Sequence, residues 1–289
     1  MKILDSKIFD VINNLLLFIQ NGTDKIREKS FLLSGFDFYI LAAIIATYLV
    51  STFASTEIIG MVSFLVPALV VIKVLITKGE KIELEKCNFF LLVYLIICFI
   101  TNFTSSMPAQ SFYGFMKTLI YFAFYFAMCQ FLKNKKQFIP VILFVIAAIV
   151  SIESVIGLIQ NAAGVENIST WQDTSYVNPE DVLSRVYGTL QPYNPNLFGG
   201  YLIAGFTSLI AMCGIYFAKG RIKSGIIALV FSLISALCIF LTGCRGAYLA
   251  LFVIIMGIIF VSFQVIFYDF TNEKLKKLWK YILSFFCIG

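Results

Sequence analysis

The sequence predicts an all-α, polytopic membrane helix bundle with about eight full transmembrane helices and the start of a ninth. Hydrophobic residues make up 60% of the 289 positions and charged residues only 13%, against about 45–50% and about 25% in soluble domains. The apolar residues are gathered into blocks of about twenty, the length a helix needs to cross a hydrocarbon core. Uniformly apolar blocks exclude the alternating pattern of a membrane β-barrel.

Residues 1–34 are expected to form a cytoplasmic N-terminal segment, and residues 35–289 the transmembrane domain. Within the first segment, residues 11–20 (VINNLLLFIQ) are too few to span a bilayer. They are predicted to form an amphipathic helix that lies on the membrane surface. The eight predicted spans are 36–55, 58–77, 87–104, 112–132, 138–160, 196–218, 225–242 and 246–266.

The orientation follows from the basic residues. All but three of the 22 lysines and arginines lie in the N-terminal segment or beside the second, fourth, sixth and eighth spans. Because positive charge is retained in the cytoplasm, the N-terminus is predicted to be cytoplasmic. The exceptions, Lys117, Arg185 and Arg245, then lie on or near the outer side. Basic residues spread between apolar blocks also argue against a nucleic-acid partner.

No metal or cofactor is expected. The chain has no histidine, which is the commonest general base and metal ligand. Its cysteines form no CxxC pair, and six of the seven lie within or at the edges of apolar blocks, where they are interpreted as small apolar residues.

A long outer loop, about 161–194, leads into the sixth span. Pro195 suits the first turn of a helix and Asn194 suits its N-cap. The free N–H groups of this helix end would face the outer surface, with Arg185 nearby in sequence and Asn196 in the first turn. A well-capped helix that follows a glycine-containing turn explains the same pattern without a ligand.

Residues 241–247 (LTGCRGA) predict a tight turn between the seventh and eighth spans, with Arg245 at its centre. A charged side chain at that depth usually has a partner, and a guanidinium suits a phosphate group bidentately. Snorkelling of Arg245 to lipid headgroups is the simpler alternative.

Two further ionisable residues, Lys117 and Glu153, fall inside predicted spans at similar depths. Such residues usually face the bundle interior and mark an internal pair or a functional path. A Lys117–Glu153 ion pair and direct contact of either residue with a ligand are both compatible with the sequence.

At these motifs the chain resembles the O-antigen ligase and polysaccharide polymerase superfamily of bacterial envelopes. Residues 185–199 (RVYGTLQPYNPNLFG) look like that family's R-x-x-G-T-x…N-P-N-x-x-G pattern leading into a helix. Residues 241–247 resemble its T-x-S-R-G-A turn, with Cys244 in place of the serine. The resemblance covers about residues 36–266.

The resemblance implies glycosyl transfer from an undecaprenyl-pyrophosphate-linked glycan to a glycan acceptor at the outer face of the bacterial cytoplasmic membrane. Arg245 would contact the pyrophosphate, and Arg185, Asn194 and Asn196 would shape the outer cavity. Other polysaccharide-assembly membrane proteins are further expected partners. The abundance of Ile, Phe, Lys and Asn is typical of an AT-rich bacterial genome and suggests a Gram-positive source. Such a source favours a capsule or exopolysaccharide polymerase over a lipid A ligase.

Family members continue with further helices and a large outer loop that carries another arginine and a histidine. Here the last apolar run, 281–289, is too short to span, so the sequence is expected to be a fragment or a prematurely ended frame, inactive on its own. A transporter or flippase of lipid-linked oligosaccharide or of a small solute is the alternative function. The sequence shows no clear internal repeat of the kind that many transporters carry.

Overall fold

The chain is a helical, multi-pass membrane protein. The computed structural model describes residues 13–23, 30–82, 86–164 and 185–268, and within these ranges every regular element is a helix. This confirms the predicted all-α class. The α-helices are α1 (13–23), α2 (Phe31–Ser34), α3 (Phe36–Val50), α4 (Thr56–Ile76), α5 (Lys86–Thr101), α6 (Pro108–Asn134), α7 (Ile139–Ala163), α8 (Pro195–Ala218), α9 (Ile222–Leu241) and α10 (Arg245–Tyr268).

Among the described residues, five helices are long and apolar enough to cross a membrane: α4, α6, α8, α9, and α7 together with the 3-10 turn that precedes it. Three shorter apolar stretches lie in α3, α5 and α10. Each predicted span therefore falls on an apolar helix, whereas the total of eight crossings stays a prediction. The predicted ninth helix and most of the long loop, 165–184, lie outside the described residues.

Helix α3 ends at Val50, five residues earlier than the predicted span. Hydroxyl groups explain the early end, because Ser51 Oγ donates to Tyr48 O (2.7 Å) and Thr52 Oγ1 donates to Leu49 O (2.7 Å). Local side-chain bonds of this kind compete with the helical ladder. The resulting turn leads directly into α4.

The chain divides into two compact units. Unit 1 comprises Met1–Ile149 and Thr189–Pro192, and unit 2 comprises Val150–Gly188 and Tyr193–Gly289. The core of unit 1 is formed by α3, α4 and α6, with Ile40, Ile44, Val66 and Phe131 almost fully buried.

Helix α1 lies within the predicted N-terminal segment. Leu16 and Gln20 of this helix are buried in unit 1, whereas Phe18 is 83% exposed and Leu15 is 65% exposed. An apolar exposed face suits a helix at a lipid interface, and its position on the membrane surface stays a prediction.

A charged network joins α3, α4 and α6 in unit 1. Lys73 Nζ lies 2.9 Å from Asp37 Oδ1 and 3.1 Å from Glu80 Oε1. Lys135 Nζ lies 2.7 Å from Asp37 Oδ2, and Asn134 Nδ2 donates to Glu80 Oε2 (3.0 Å). Lys73 is only 8% exposed, so its charge is compensated by two carboxylates rather than by water.

In unit 2, α8 packs on α9 and α10. Small residues also allow α7 to approach α8 and α9, because helices in membranes approach closely where side chains are absent. A Cβ added at Gly205 of α8 would lie 2.0 Å from Val150 Cγ2, and one added at Gly157 of α7 would lie 2.4 Å from Cys238 Sγ.

Candidate functional site

The sixth predicted span begins as the sequence indicates. Asn194 is the N-cap of α8, its side-chain oxygen accepts a hydrogen bond from the N–H of Asn196 (2.8 Å), and Pro195 occupies the first turn. This satisfies one of the backbone donors that a helix leaves open at its start. The prediction of a capped helix end at this position is confirmed.

Arg185 connects the two sequence motifs. Its Nε donates to Thr242 O (2.7 Å) and its Nη2 donates to Asn196 Oδ1 (2.7 Å). The guanidinium therefore holds the turn between α9 and α10 against the first turn of α8. We call these residues, with Asn194 and Gly243, the Arg185 cluster.

Gly243 is required by this arrangement for two reasons. Its φ is +63°, a left-handed conformation that side chains disfavour. A Cβ at this position would also lie 2.8 Å from Arg185 Nε. The glycine thus lets the guanidinium lie directly on the turn.

Arg245 is not part of the hydrogen-bonded cluster. It is the first residue of α10, two positions after Gly243, and its side chain is exposed. Within the described ranges it makes no hydrogen bond or ion pair. The turn around it is fixed by its neighbours instead, since the N–H of Cys244 donates to Thr242 Oγ1 (3.2 Å) and Tyr248 OH donates to Phe240 O (2.6 Å).

Gln160 of α7 positions the segment that follows Arg185, a role that the sequence analysis missed. Its Oε1 accepts from the N–H groups of Tyr187 (3.2 Å) and Gly188 (2.9 Å), and its Nε2 donates to Gly188 O (2.9 Å). The only signal in the sequence is an amide near the end of an apolar helix. That signal does not identify the backbone to which the amide binds.

Glu153 lies on the same side of α7, seven residues before Gln160, and is 3% exposed. A Cβ at Gly188 would lie 2.8 Å from Glu153 Oε2 and 2.5 Å from Phe198 Cε2. The carboxylate is therefore packed against the Gly188 turn in unit 2. Buried ionisable residues in membrane helices are rare and functional-site candidates.

Lys117 lies in unit 1, on α6. Its Nζ is 3.9 Å from Glu57 Oε1, 3.4 Å from Thr56 Oγ1 and 4.6 Å from the centre of the Tyr113 ring. These groups line one end of a cavity of about 360 Å³. Lys117 and Glu153 belong to different units, so an ion pair between them stays a prediction.

Glu57 was also missed by the sequence analysis, because an acid in the first turn of a helix is explained by the helix dipole alone. The side chains of Lys117 and Glu57 are 37% and 59% exposed. Exposed pairs contribute little to stability. The interaction is therefore better suited to orienting the lysine at the cavity than to holding α4 against α6.

Replacing Arg185 with methionine should destabilise the protein by about 2 kcal/mol, because hydrogen bonds to charged groups contribute about 1.5–3 kcal/mol each and the apolar stem is kept. This destabilisation is measured by heating the protein in detergent and following the decrease of its monodisperse peak in size-exclusion chromatography. Asn196→Ala removes one of the same bonds, so the two effects should not add.

The matched control for this measurement is Arg221→Met, at the exposed link between α8 and α9. It should leave the unfolding temperature unchanged. Equal unfolding temperatures for Arg185→Met and Arg221→Met would show that the Arg185 cluster does not hold the turn in place.

No protein-family model, curated protein or solved structure matches the chain. Functional conclusions therefore depend on its own residues and on the resemblance at the two motifs.

Proposed function

We propose that the chain takes part in the transfer of a glycan from an undecaprenyl-pyrophosphate-linked oligosaccharide to a glycan acceptor, in cell-surface polysaccharide biosynthesis. The observation that supports this most is the Arg185 cluster. Arg185 donates to Asn196 of one motif and to Thr242 of the other. Arg185 and Thr242 are 57 positions apart in the sequence. Two segments that resemble motifs of one enzyme family are therefore hydrogen-bonded to each other within unit 2.

The chemistry of this end of unit 2 suits an anionic leaving group. Helices α8 and α10 both begin here, and helix N-termini carry partial positive charge. Arg185 is fixed by two hydrogen bonds, whereas Arg245 extends from the first turn of α10 without a partner among the described residues. The exposed guanidinium of Arg245 can engage a pyrophosphate bidentately, while Arg185 holds the adjoining turn in place.

In the proposed reaction the acceptor hydroxyl oxygen forms a bond to the anomeric carbon. The bond from that carbon to the phosphate oxygen breaks, and the lipid pyrophosphate leaves with the electron pair. Arg245 stabilises the charge that develops on it, as preorganised donors do in other transferases. The hydroxyl proton passes to a phosphate oxygen of the departing pyrophosphate, because the chain contains no histidine to accept it.

The distribution of lysines supports the orientation. The links at the opposite helix ends, 77–86, 133–136 and 219–223, carry most of the basic residues between spans. With positive charge retained inside, the N-terminus is cytoplasmic and the Arg185 cluster faces the outer side of the bacterial cytoplasmic membrane. The proposed topology has eight membrane crossings. The proposed partners are the bilayer, the lipid-linked glycan, the acceptor and other polysaccharide-assembly proteins.

The test is Arg245→Ala, introduced into the gene at its chromosomal locus. Because removal of one donor that stabilises a developing charge costs about 10²–10³-fold in rate, cells carrying the variant should lose long polysaccharide chains on gels. Arg245→Lys should retain part of the activity, since it keeps the charge but not the planar fork. Purified protein should show the same unfolding temperature as wild type, because Arg245 makes no bonds with the described residues.

Lys223→Ala, which removes an exposed cation from the first turn of α9, is the control and should leave chain length unchanged. Native mass spectrometry with undecaprenyl pyrophosphate gives a readout that does not depend on turnover. Normal chain length together with unchanged binding of this lipid in Arg245→Ala would contradict the proposed role.

A further inference from the structure

A second cavity lies entirely within unit 1, between α1, α4 and α6. Its volume is about 230 Å³. The walls include Leu16, Pro67, Val74 and Ala127, and Gln130 is the polar side chain among the lining residues. Water finds few hydrogen-bond partners against this apolar lining. In a protein that crosses a bilayer, the apolar molecule at hand is a lipid.

Helix α1 covers one side of this cavity. Its polar side chains are bonded to the end of α4: Gln20 Nε2 donates to Val74 O (2.7 Å) and Thr23 Oγ1 donates to Leu75 O (3.1 Å). Leu16 faces the cavity, while Leu15 and Phe18 are exposed. Apolar surface therefore continues from the cavity to the outside of α1, as lipid contact requires.

One edge of the cavity is basic. Gln130 Nε2 donates to Lys81 O, so the link after α4 lies beside the lining. Lys78, Lys81 and Lys136 are exposed. The nearby acids Asp37 and Glu80 are already paired with Lys73 or Lys135.

The charge balance of this region is positive in the sequence as well. Segments 73–86 and 133–136 together carry seven lysines and three glutamates. Lysines near a membrane surface attract anionic headgroups. The apolar lining and the basic edge therefore match the two ends of one amphiphile.

We propose that this cavity binds an acyl chain of an anionic phospholipid whose phosphate meets Lys78, Lys81 and Lys136. The site does not depend on the proposed glycosyl transfer. It lies in unit 1, and it is independent of Arg185, Arg245 and their neighbours. The bound lipid fills the space between α1 and the spanning helices α4 and α6.

The test uses the purified full chain in detergent, with dioleoyl phosphatidylglycerol and dioleoyl phosphatidylcholine as probes in native mass spectrometry. Wild type should bind one phosphatidylglycerol more tightly than phosphatidylcholine. Changing Lys78, Lys81 and Lys136 to glutamine should weaken phosphatidylglycerol binding by about fivefold per lysine, or about a hundredfold for all three. Phosphatidylcholine binding should not change.

The matched charge control is the triple change of Lys219, Arg221 and Lys223 to glutamine, which removes three exposed cations from the link between α8 and α9 and the first turn of α9. An equal loss of phosphatidylglycerol binding in this control would show that charge attraction is unspecific and would overturn the proposal. Inorganic phosphate alone should neither stabilise the protein nor displace the lipid. Displacement of the lipid by inorganic phosphate would show that the lysines bind phosphate without any contribution from the cavity, and it would overturn the proposal.

Occupancy of the cavity is tested by Ala123→Phe, which places a ring in the lining from α6. Both lipids should bind more weakly. Ala109→Phe, an exposed position on the same helix, should bind them as wild type does. Equal binding by the two variants would overturn the proposal. If Ala123→Phe does not fold, the lysine-to-glutamine variants still test the proposal.

Discussion

Gly205→Val should destabilise unit 2 by about 3 kcal/mol or more, since overpacking of a close-packed site costs about 1–3 kcal/mol and occasionally more. Even the first carbon of a side chain at this position would lie 2.0 Å from Val150 Cγ2 and 2.7 Å from Val150 Cβ. The obstacle is a β-branched side chain with a restricted χ1, so α8 must move away from α7. The expected result is a lower unfolding temperature in detergent and a smaller monodisperse fraction.

Gly200→Val is the matched control, because it makes the same change in the same helix. Gly200 is exposed, and a Cβ there meets nothing within 4 Å. Glycine is itself unfavourable in a helix, so this variant should be as stable as wild type. A second variant, Val150→Ala combined with Gly205→Val, should recover part of the loss, because the two residues are coupled. Equal stability of Gly205→Val and Gly200→Val would refute the close approach of the helices.

Lys73→Met should destabilise unit 1 by about 3–5 kcal/mol, the range for removal of one partner from a buried ion pair. The lysine is 8% exposed and lies within 3.1 Å of two carboxylates. Its removal leaves Asp37 with Lys135, and leaves Glu80 with the neutral Asn134. Methionine keeps the apolar stem, so the measured change in unfolding temperature reports the lost charge.

Lys78→Met provides the comparison for this variant, since Lys78 is an exposed lysine five residues after Lys73. It should change the unfolding temperature by no more than a surface substitution does, about 0.5 kcal/mol in equivalent free energy. Raising the salt concentration should not reduce the difference between the two variants, because buried pairs are screened little. If the difference disappears in high salt, Lys73 contributes only as a surface charge.

The sequence was sufficient to predict the helices because a spanning helix is a local property of composition and length. The N-cap at Asn194 was predictable for the same reason, since its partner, Asn196, is two residues away. Where the structure differs, as at the early end of α3, the cause is a pair of hydroxyl groups that a hydropathy window does not register. Turn chemistry, rather than hydropathy, sets that boundary.

The site was only partly predictable, because its contacts are long-range. Arg185 and Asn196 were singled out from their motif, but the acceptor at Thr242 O is 57 residues from Arg185. Gln160 reaches Gly188 across 28 residues, and Lys117 reaches Glu57 across 60 positions of the chain. Distances of this kind depend on how helices pack, which a single sequence does not specify.

The attachment of α1 has a practical consequence for anyone who shortens this protein. The last carbonyl groups of a helix lack partners in their own helix, and at the end of α4 they are served by Gln20 and Thr23. In a truncated version that starts near Ser30, the carbonyl groups of Val74 and Leu75 would lose these hydrogen-bond donors. The final turn of α4 would then fray, and Lys73 in that turn would lose its position beside its carboxylates, so residues 13–23 belong in any stable expression fragment.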